Sequence, residues 1–144
     1  MCLIALQLHE HPLYKMILVA NRDETYTRPT AAASFWKDYP QVLAGRDLLQ
    51  MGTWLGITKE GRFAALTNSY DSTFSVPENP VSRGQIVRDY LTTTQSALDF
   101  LAYLQDKRLD YAGFNLLLGD IDHLWHFNNH TNQVISLKSG IHGL

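Results

Sequence analysis

The chain has a single cysteine, Cys2, among 144 residues. An internal disulfide is therefore impossible, and a cysteine-rich zinc site is excluded with it. Long hydrophobic runs are also missing. Runs such as Ile17–Ala20 and Leu116–Leu118 are short, far from the ~20 apolar residues that span a bilayer. Neither sign of charge dominates: 12 Lys and Arg stand against 14 Asp and Glu, for a net charge of −2. No basic patch stands out, so neither nucleic acid nor membrane is expected as a partner. The N-terminus has no basic n-region and turns polar at Gln7, His9 and Glu10, which argues against a secretory signal. Without such a signal the glycosylation sequon Asn129-His130-Thr131 reads as a chance match. A lone thiol and no signal together predict a cytoplasmic protein. Internal repeats, low-complexity tracts, a glycine-rich phosphate loop and a Gly-x-Ser-x-Gly elbow are all absent.

What is present is enough apolar material for a core. Hydrophobic residues make up 45% of the chain, and its length fits one domain over residues 1–144. Apolar content predicts a strand over Cys2–Leu8, a turn at His11-Pro12-Leu13 and a returning strand over Tyr14–Ala20 rich in Ile, Val and Leu. The two should pair as a hairpin. A polar loop and then an irregular stretch with Phe35, Trp36 and Tyr39 follow, leading to Ala44-Gly45-Arg46-Asp47. Thr53–Thr58 and Arg62–Thr67 read as strands joined by a tight turn. Tyr70–Pro80 reads as a loop.

Two helices come next. Ser82 with Gln85 has the form of a capping box, and Ile86, Val87, Tyr90 and Leu91 recur at helical spacing. Ser96 with Asp99 marks a second start, with Leu98, Leu101, Ala102 and Leu104 as its apolar face. Strands return over Gly113–Gly119, Leu124–Phe127 and Val134–Leu137. Strands, two helices, then strands make an α+β class with antiparallel sheet. The helix pair should cover one sheet face, so something else must cover the other. Residues 139–144 show no closing element, and the chain reads as part of a longer domain.

Cys2 is the first candidate for chemistry. Removal of Met1 would leave a thiol and a free α-amine on one residue. An α-amine, with an ordinary pKa of ~7.7–8.0, is partly neutral near pH 7 and can take the thiol's proton. Alone, Cys2 reads better as a small buried hydrophobe. The cluster Asn21-Arg22-Asp23-Glu24 changes that balance. A hairpin turning near His11 and Pro12 brings residues 20–22 level with residue 2, so Arg22 and Asp23 arrive beside the thiol. Arg22 would favour the thiolate, and Asp23 would hold the amine. Asn68 ends another strand, where it can serve either as an oxyanion donor or as a turn residue. Asn115 sits in an apolar strand and is either satisfied in the core or turned toward a site. The six histidines show no ligand spacing and read as surface or structural, so no metal is expected.

These segments, taken in order, resemble a known family. They are Met1-Cys2, Asn21-Arg22-Asp23-Glu24, Ala44-Gly45-Arg46-Asp47, Gly52-Thr53-Trp54-Leu55-Gly56-Ile57, Leu66-Thr67-Asn68, Ser82-Arg83-Gly84 and Gly113-Phe114-Asn115-Leu116-Leu117. The chain resembles the NRDE family, also called the transport and Golgi organization 2 family, over essentially its whole length. That family is similar to N-terminal-nucleophile hydrolases of the bile-salt-hydrolase and penicillin-acylase type. The resemblance implies a four-layer αββα sandwich with helices outside. It also implies an amidohydrolase that cleaves a non-peptide C–N bond through a Cys2 acyl-enzyme. Cys2, Arg22, Asp23 and Asn68 would be the catalytic residues. Asn21, Glu24, Trp54 and Asn115 would bind a small-molecule substrate, and no cofactor is needed. The spacing of Arg22 and Asp23 is tighter than in those hydrolases, which puts the role of Arg22 more in doubt than that of Asp23. In the family, His-Gly-Leu is usually followed by Ser-Asn, whereas here His142-Gly143-Leu144 closes the chain. The resemblance therefore implies a C-terminal truncation, and with it an incomplete sandwich. Two other readings stay open. A non-catalytic haem or lipid-type carrier could use the same fold. An interaction module with an exposed sheet edge could form a homo-oligomer.

Overall fold

The structure, a computed structural model, describes residues 2–144. The expected removal of Met1 lies outside the described residues. Ten strands and two helices follow one another as β1 (Leu3–Leu8), β2 (Met16–Asn21), β3 (Thr30–Phe35), β4 (Val42–Asp47), β5 (Leu55–Thr58), β6 (Phe63–Asn68), α1 (Arg83–Thr92), α2 (Ala97–Asp106), β7 (Phe114–Gly119), β8 (Leu124–Asn128), β9 (Gln133–Ser136) and β10 (Gly140–Gly143). They form two antiparallel sheets, one ordered β10-β1-β2 and the other β3-β4-β5-β6-β7-β8-β9. The α+β class holds.

The layers follow from the alternation of side chains along each strand. On β6, Ala64 and Leu66 face the helices, whereas Phe63 and Ala65 face the smaller sheet. Buried on both faces, β6 reads as a nearly continuous apolar run. The helix side holds Ile86, Val87, Tyr90 and Leu91 of α1 with Phe100, Leu101 and Leu104 of α2. On the opposite face Ile4, Leu6 and Leu8 of β1 pack on Phe63, Ala65, Leu117 and Leu124. The second cover that the sequence demanded is thus the three-stranded sheet.

Several expectations need correction. The stretch from Thr30 to Asp47 is regular: β3 and β4 pair antiparallel, with an irregularity between Ala31 and Ser34. The end of the chain is also ordered, because β10 pairs with β1. Ile4 N donates to Leu144 O at 3.0 Å and Leu144 N to Ile4 O at 2.8 Å. Ser82 is the N-cap of α1, but its side chain makes no capping bond; Gln85 N donates to the Ser82 carbonyl instead. Ser96 does cap α2, accepting from Asp99 N at 3.1 Å. The buried stripe of α2 is Phe100, Leu101 and Leu104, with Ala97 packed against it, while Leu98 is exposed. That stripe keeps the i, i+3, i+4, i+7 spacing of a helix face. Among the described residues no helix is long and apolar enough to cross a membrane.

Candidate active site

The β1–β2 hairpin sets the site. Its register pairs Leu3 with Asn21, so the residues just outside the ladder, Cys2 and Arg22-Asp23, come together. Leu3 N donates to Asn21 Oδ1 at 3.2 Å, which pins the end of the hairpin. Asp23 N donates to Cys2 Sγ at 3.4 Å. Inward-facing Ile4, Leu6 and Leu8 put Cys2 on the same side of β1, toward the larger sheet.

Cys2 opens onto a cavity of about 450 Å³ whose wall includes Arg22, Asp23, Glu24, Trp54, Asn68 and Arg83. A second groove continues from the same Cys2, Asp23, Asn68 and Arg83 toward residues 69–76. His130 secures that flank: its Nδ1 lies 2.9 Å from Asp71 Oδ2, and its ring meets Phe74 edge-on at 5.4 Å. Asn68 is exposed at the end of β6, and its side-chain amide has no protein hydrogen-bond partner among the described residues. It is therefore open to a ligand.

Charges around the cavity are organised in pairs. Arg22 Nη2 donates to Glu24 Oε2 at 3.3 Å. Arg28 Nη2 donates to Asp47 Oδ2 at 2.6 Å, and its Nε lies 3.9 Å from Glu24. The Thr25 amide, followed by Arg28 and Arg22, holds the Glu24 carboxyl below its ordinary range against the opposing effect of burial. Burial pushes Asp47 upward, but the Arg28 bond and the Leu49 amide outweigh it and the net direction is down. Arg46 pairs with Asp38 at 2.8 Å and stacks over the Trp36 ring, 4.1 Å from its centroid.

Helix α1 brings Ser82, Arg83 and Gly84 to the opposite wall. The approach is close. Thr53 N donates to Gly84 O at 3.1 Å, and a Cβ on Gly52 would sit 2.5 Å from the Gly84 carbonyl carbon. Only glycine at position 52 lets α1 dock there. Arg83 is half-buried, and its Nη1 donates to Gly113 O at 2.8 Å.

The structure brings Cys2, Arg22, Asp23, Glu24, Trp54 and Asn68 to one cavity. Asn21 and Asn115 are not on its wall. Asn21 serves the hairpin. Asn115 joins a polar cluster on the face toward the smaller sheet. Its Oδ1 accepts from Asn128 Nδ2 at 2.9 Å and lies 3.2 Å from His126 Nε2, while its Nδ2 donates to Thr67 Oγ1 at 3.4 Å. That shared acceptor assigns the His126 proton to Nε2, and burial lowers the pKa of the ring. Among the described residues no group of three or more potential ligands could hold a metal ion.

With this geometry in view, the relatives are informative. A sequence profile of the family described as "Transport and Golgi organisation 2" matches residues 1–144. The chain belongs to that family. It is 35% identical over 157 residues to the transport and Golgi organization protein 2 homolog of Bos taurus, covering 100% of this chain and 56% of the relative. The Homo sapiens homolog is 34% identical over the same shares. The Drosophila melanogaster protein is 35% identical over 113 residues, or 72% of this chain and 39% of the relative. The chain thus spans about half the length of the curated relatives it matches.

Sequence reasoning assigned no site role to Arg28, Asp47, Ser82 or Arg83, yet all four line the cavity. A signal was present. Asp47 and Arg83 fall inside two of the segments that carry the family resemblance. Their strand and helix had to be placed before those segments could be seen to converge on Cys2.

Proposed function

We propose that the protein is an N-terminal-nucleophile amidohydrolase, on an αββα-type fold, that cleaves a non-peptide C–N bond of a small-molecule amide. The observation that carries this reading is the position of the Cys2 thiol. It faces the cavity, accepts the Asp23 amide at 3.4 Å, and shares the wall with the open side-chain amide of Asn68.

In this reading the α-amine of Cys2, freed by loss of Met1, takes the thiol proton. The thiolate attacks the substrate carbonyl, and Asn68 Nδ2 donates to the tetrahedral oxyanion. The C–N bond breaks as the amine leaves with the proton. Water then attacks the thioester, releasing the acid and restoring the thiol. Asp23 orients the α-amine, and Arg22, steadied by Glu24, supplies positive charge beside the sulfur. Trp54 offers an apolar wall to the acyl group. The names of the relatives speak of transport and Golgi organization. A carrier that uses the same cavity without chemistry is therefore the reading to separate from this one.

Cys2→Ala decides between them. Protein shown by intact mass to lack Met1 is assayed against a panel of acyl p-nitroanilides. The substitution should abolish turnover and leave the melting temperature within a few degrees. Retained turnover in the variant would overturn the proposal.

A further inference from the structure

The cavity beside Cys2 is lined by four guanidinium groups, those of Arg22, Arg28, Arg46 and Arg83. Three are matched by carboxylates: Arg22 by Glu24, Arg28 by Asp47, and Arg46 by Asp38. Arg83 differs. Among the described residues no carboxylate lies within ion-pair distance of it, and its side-chain hydrogen bond is one donation to the neutral Gly113 carbonyl. It is half-buried, and burial works against its charge, while Cys2 and Glu24 are the groups that favour it. A guanidinium stays protonated all the same. Its remaining donors are not buried without partners, so they keep an opening toward the cavity.

A partly desolvated cation with no carboxylate in ion-pair contact is costly unless an anion completes it. A guanidinium presents a planar fork that matches carboxylate and phosphate oxygens two at a time. The docking of α1 on Gly52 and Thr53 fixes the backbone that carries the fork, so the site is held in place.

We infer that Arg83 is a specificity-determining residue that binds a carboxylate or phosphate group of the molecule whose reacting carbon reaches Cys2. The inference rests on the Cys2 cavity being a substrate site and assigns its substrate class: an amide that carries an oxyanion on its acyl or amine part. Arg83 is not placed in bond making. It holds the charged end while Cys2 meets the carbonyl.

The test uses the one thiol of the chain as the reporter. Iodoacetate and iodoacetamide both alkylate Cys2, the thiolate displacing iodide as the S–C bond forms. They differ in charge, and intact mass gives both rates whether or not Met1 has been removed. In the unaltered protein the ratio of the iodoacetate to the iodoacetamide rate should exceed that of free N-acetylcysteine by roughly tenfold, the range expected of one charge-assisted bidentate contact. Arg83→Gln should return the ratio to the free-thiol value; a loss of thiolate from removing the cation slows both reagents alike and cancels in the ratio. Arg83→Lys, which keeps the charge and loses the fork, should fall between. An unchanged ratio in Arg83→Gln would overturn the inference. So would an equal fall in both rates, which would make Arg83 a positioning residue for the thiolate. Should the variants not fold, inorganic phosphate added to the unaltered protein serves instead. It should slow iodoacetate more than iodoacetamide, and equal slowing or none counts against the site. The two proposals fail separately. A raised, Arg83-dependent ratio without amide turnover would sink the hydrolase and keep the anion site. Amide turnover with an unraised ratio would do the reverse.

Discussion

The two faces of the seven-stranded sheet are built differently. Toward the helices it buries Trp36, Tyr90, Phe100, Tyr111, Phe114 and Phe127. Trp36 Nε1 and the Tyr90 hydroxyl donate to the Ala44 and Gly119 carbonyls at 3.1 and 3.3 Å, so these large rings are satisfied as well as buried. Toward the smaller sheet the fully buried set is Ile4, Leu6, Leu8, Phe63, Ala65, Leu117 and Leu124. This face is mostly aliphatic, and its β1 partner leads straight to Cys2. The first face is the aromatic one; the second leads to the candidate site, whose opposite wall is supplied by α1. The candidate site thus borders the smaller of the two buried clusters.

The strongest way to break this contrast is on the aromatic side. Phe127 is fully buried, and Phe127→Ala should cost about 3–5 kcal/mol in denaturant unfolding. The whole chain should unfold together, with helical signal and Cys2 accessibility changing at one midpoint. A smaller effect is expected from Leu6→Ala on the other face, about 2–4 kcal/mol. Amide exchange locates it. Protection should fall in β1, β2 and β10 and be retained in β6 and β7. A uniform loss of protection would mean that the two faces are one cooperative unit.

The smallest effect concerns pH. Glu24 and Asp47 are held below their ordinary values of 4.5 and 3.8 by Thr25, Leu49 and their arginine partners. A depressed carboxylate pKa adds stability above the unfolded value, and that stability is lost as pH falls through the folded one. Melting temperature should therefore drop from about pH 5 downward, and Glu24→Gln with Asp47→Asn should flatten the drop. An acid limb of the same steepness in the double variant would place the sensitive carboxylates elsewhere.

Much of the fold could be read from residue patterns, and the misses have physical reasons. The hairpin of β1 and β2 was legible from its two apolar runs and the turn between them, and the placement of Arg22 and Asp23 beside Cys2 followed from register alone. β3 was not legible. It is an edge strand of small residues, Thr30-Ala-Ala-Ala-Ser-Phe35, almost wholly exposed and without an apolar stripe. In β4 only Val42 and Ala44 point into the core before Gly45 and two charges intervene. β10 contains two glycines and an exposed Ile141, so its pairing is a backbone matter that side chains do not announce. In α2 the apolar residues occupy more than half the circumference, and the stripe starting at Ala97 competes with one starting at Leu98. Asn115 shows the limit for sites. The sequence left both of its readings open, and only the positions of Thr67, His126 and Asn128 show where its bonds go.

The pairing of β10 with β1 has a consequence for reach. The strands run antiparallel, and Leu144 exchanges both backbone bonds with Ile4, two residues from the thiol. Any group joined after Leu144 by a short flexible tether would be held near the mouth of the Cys2 cleft at an effective concentration in the millimolar range. A weak-binding probe attached there would meet the thiol as an intramolecular neighbour, and its residence would be governed by tether length as much as by affinity.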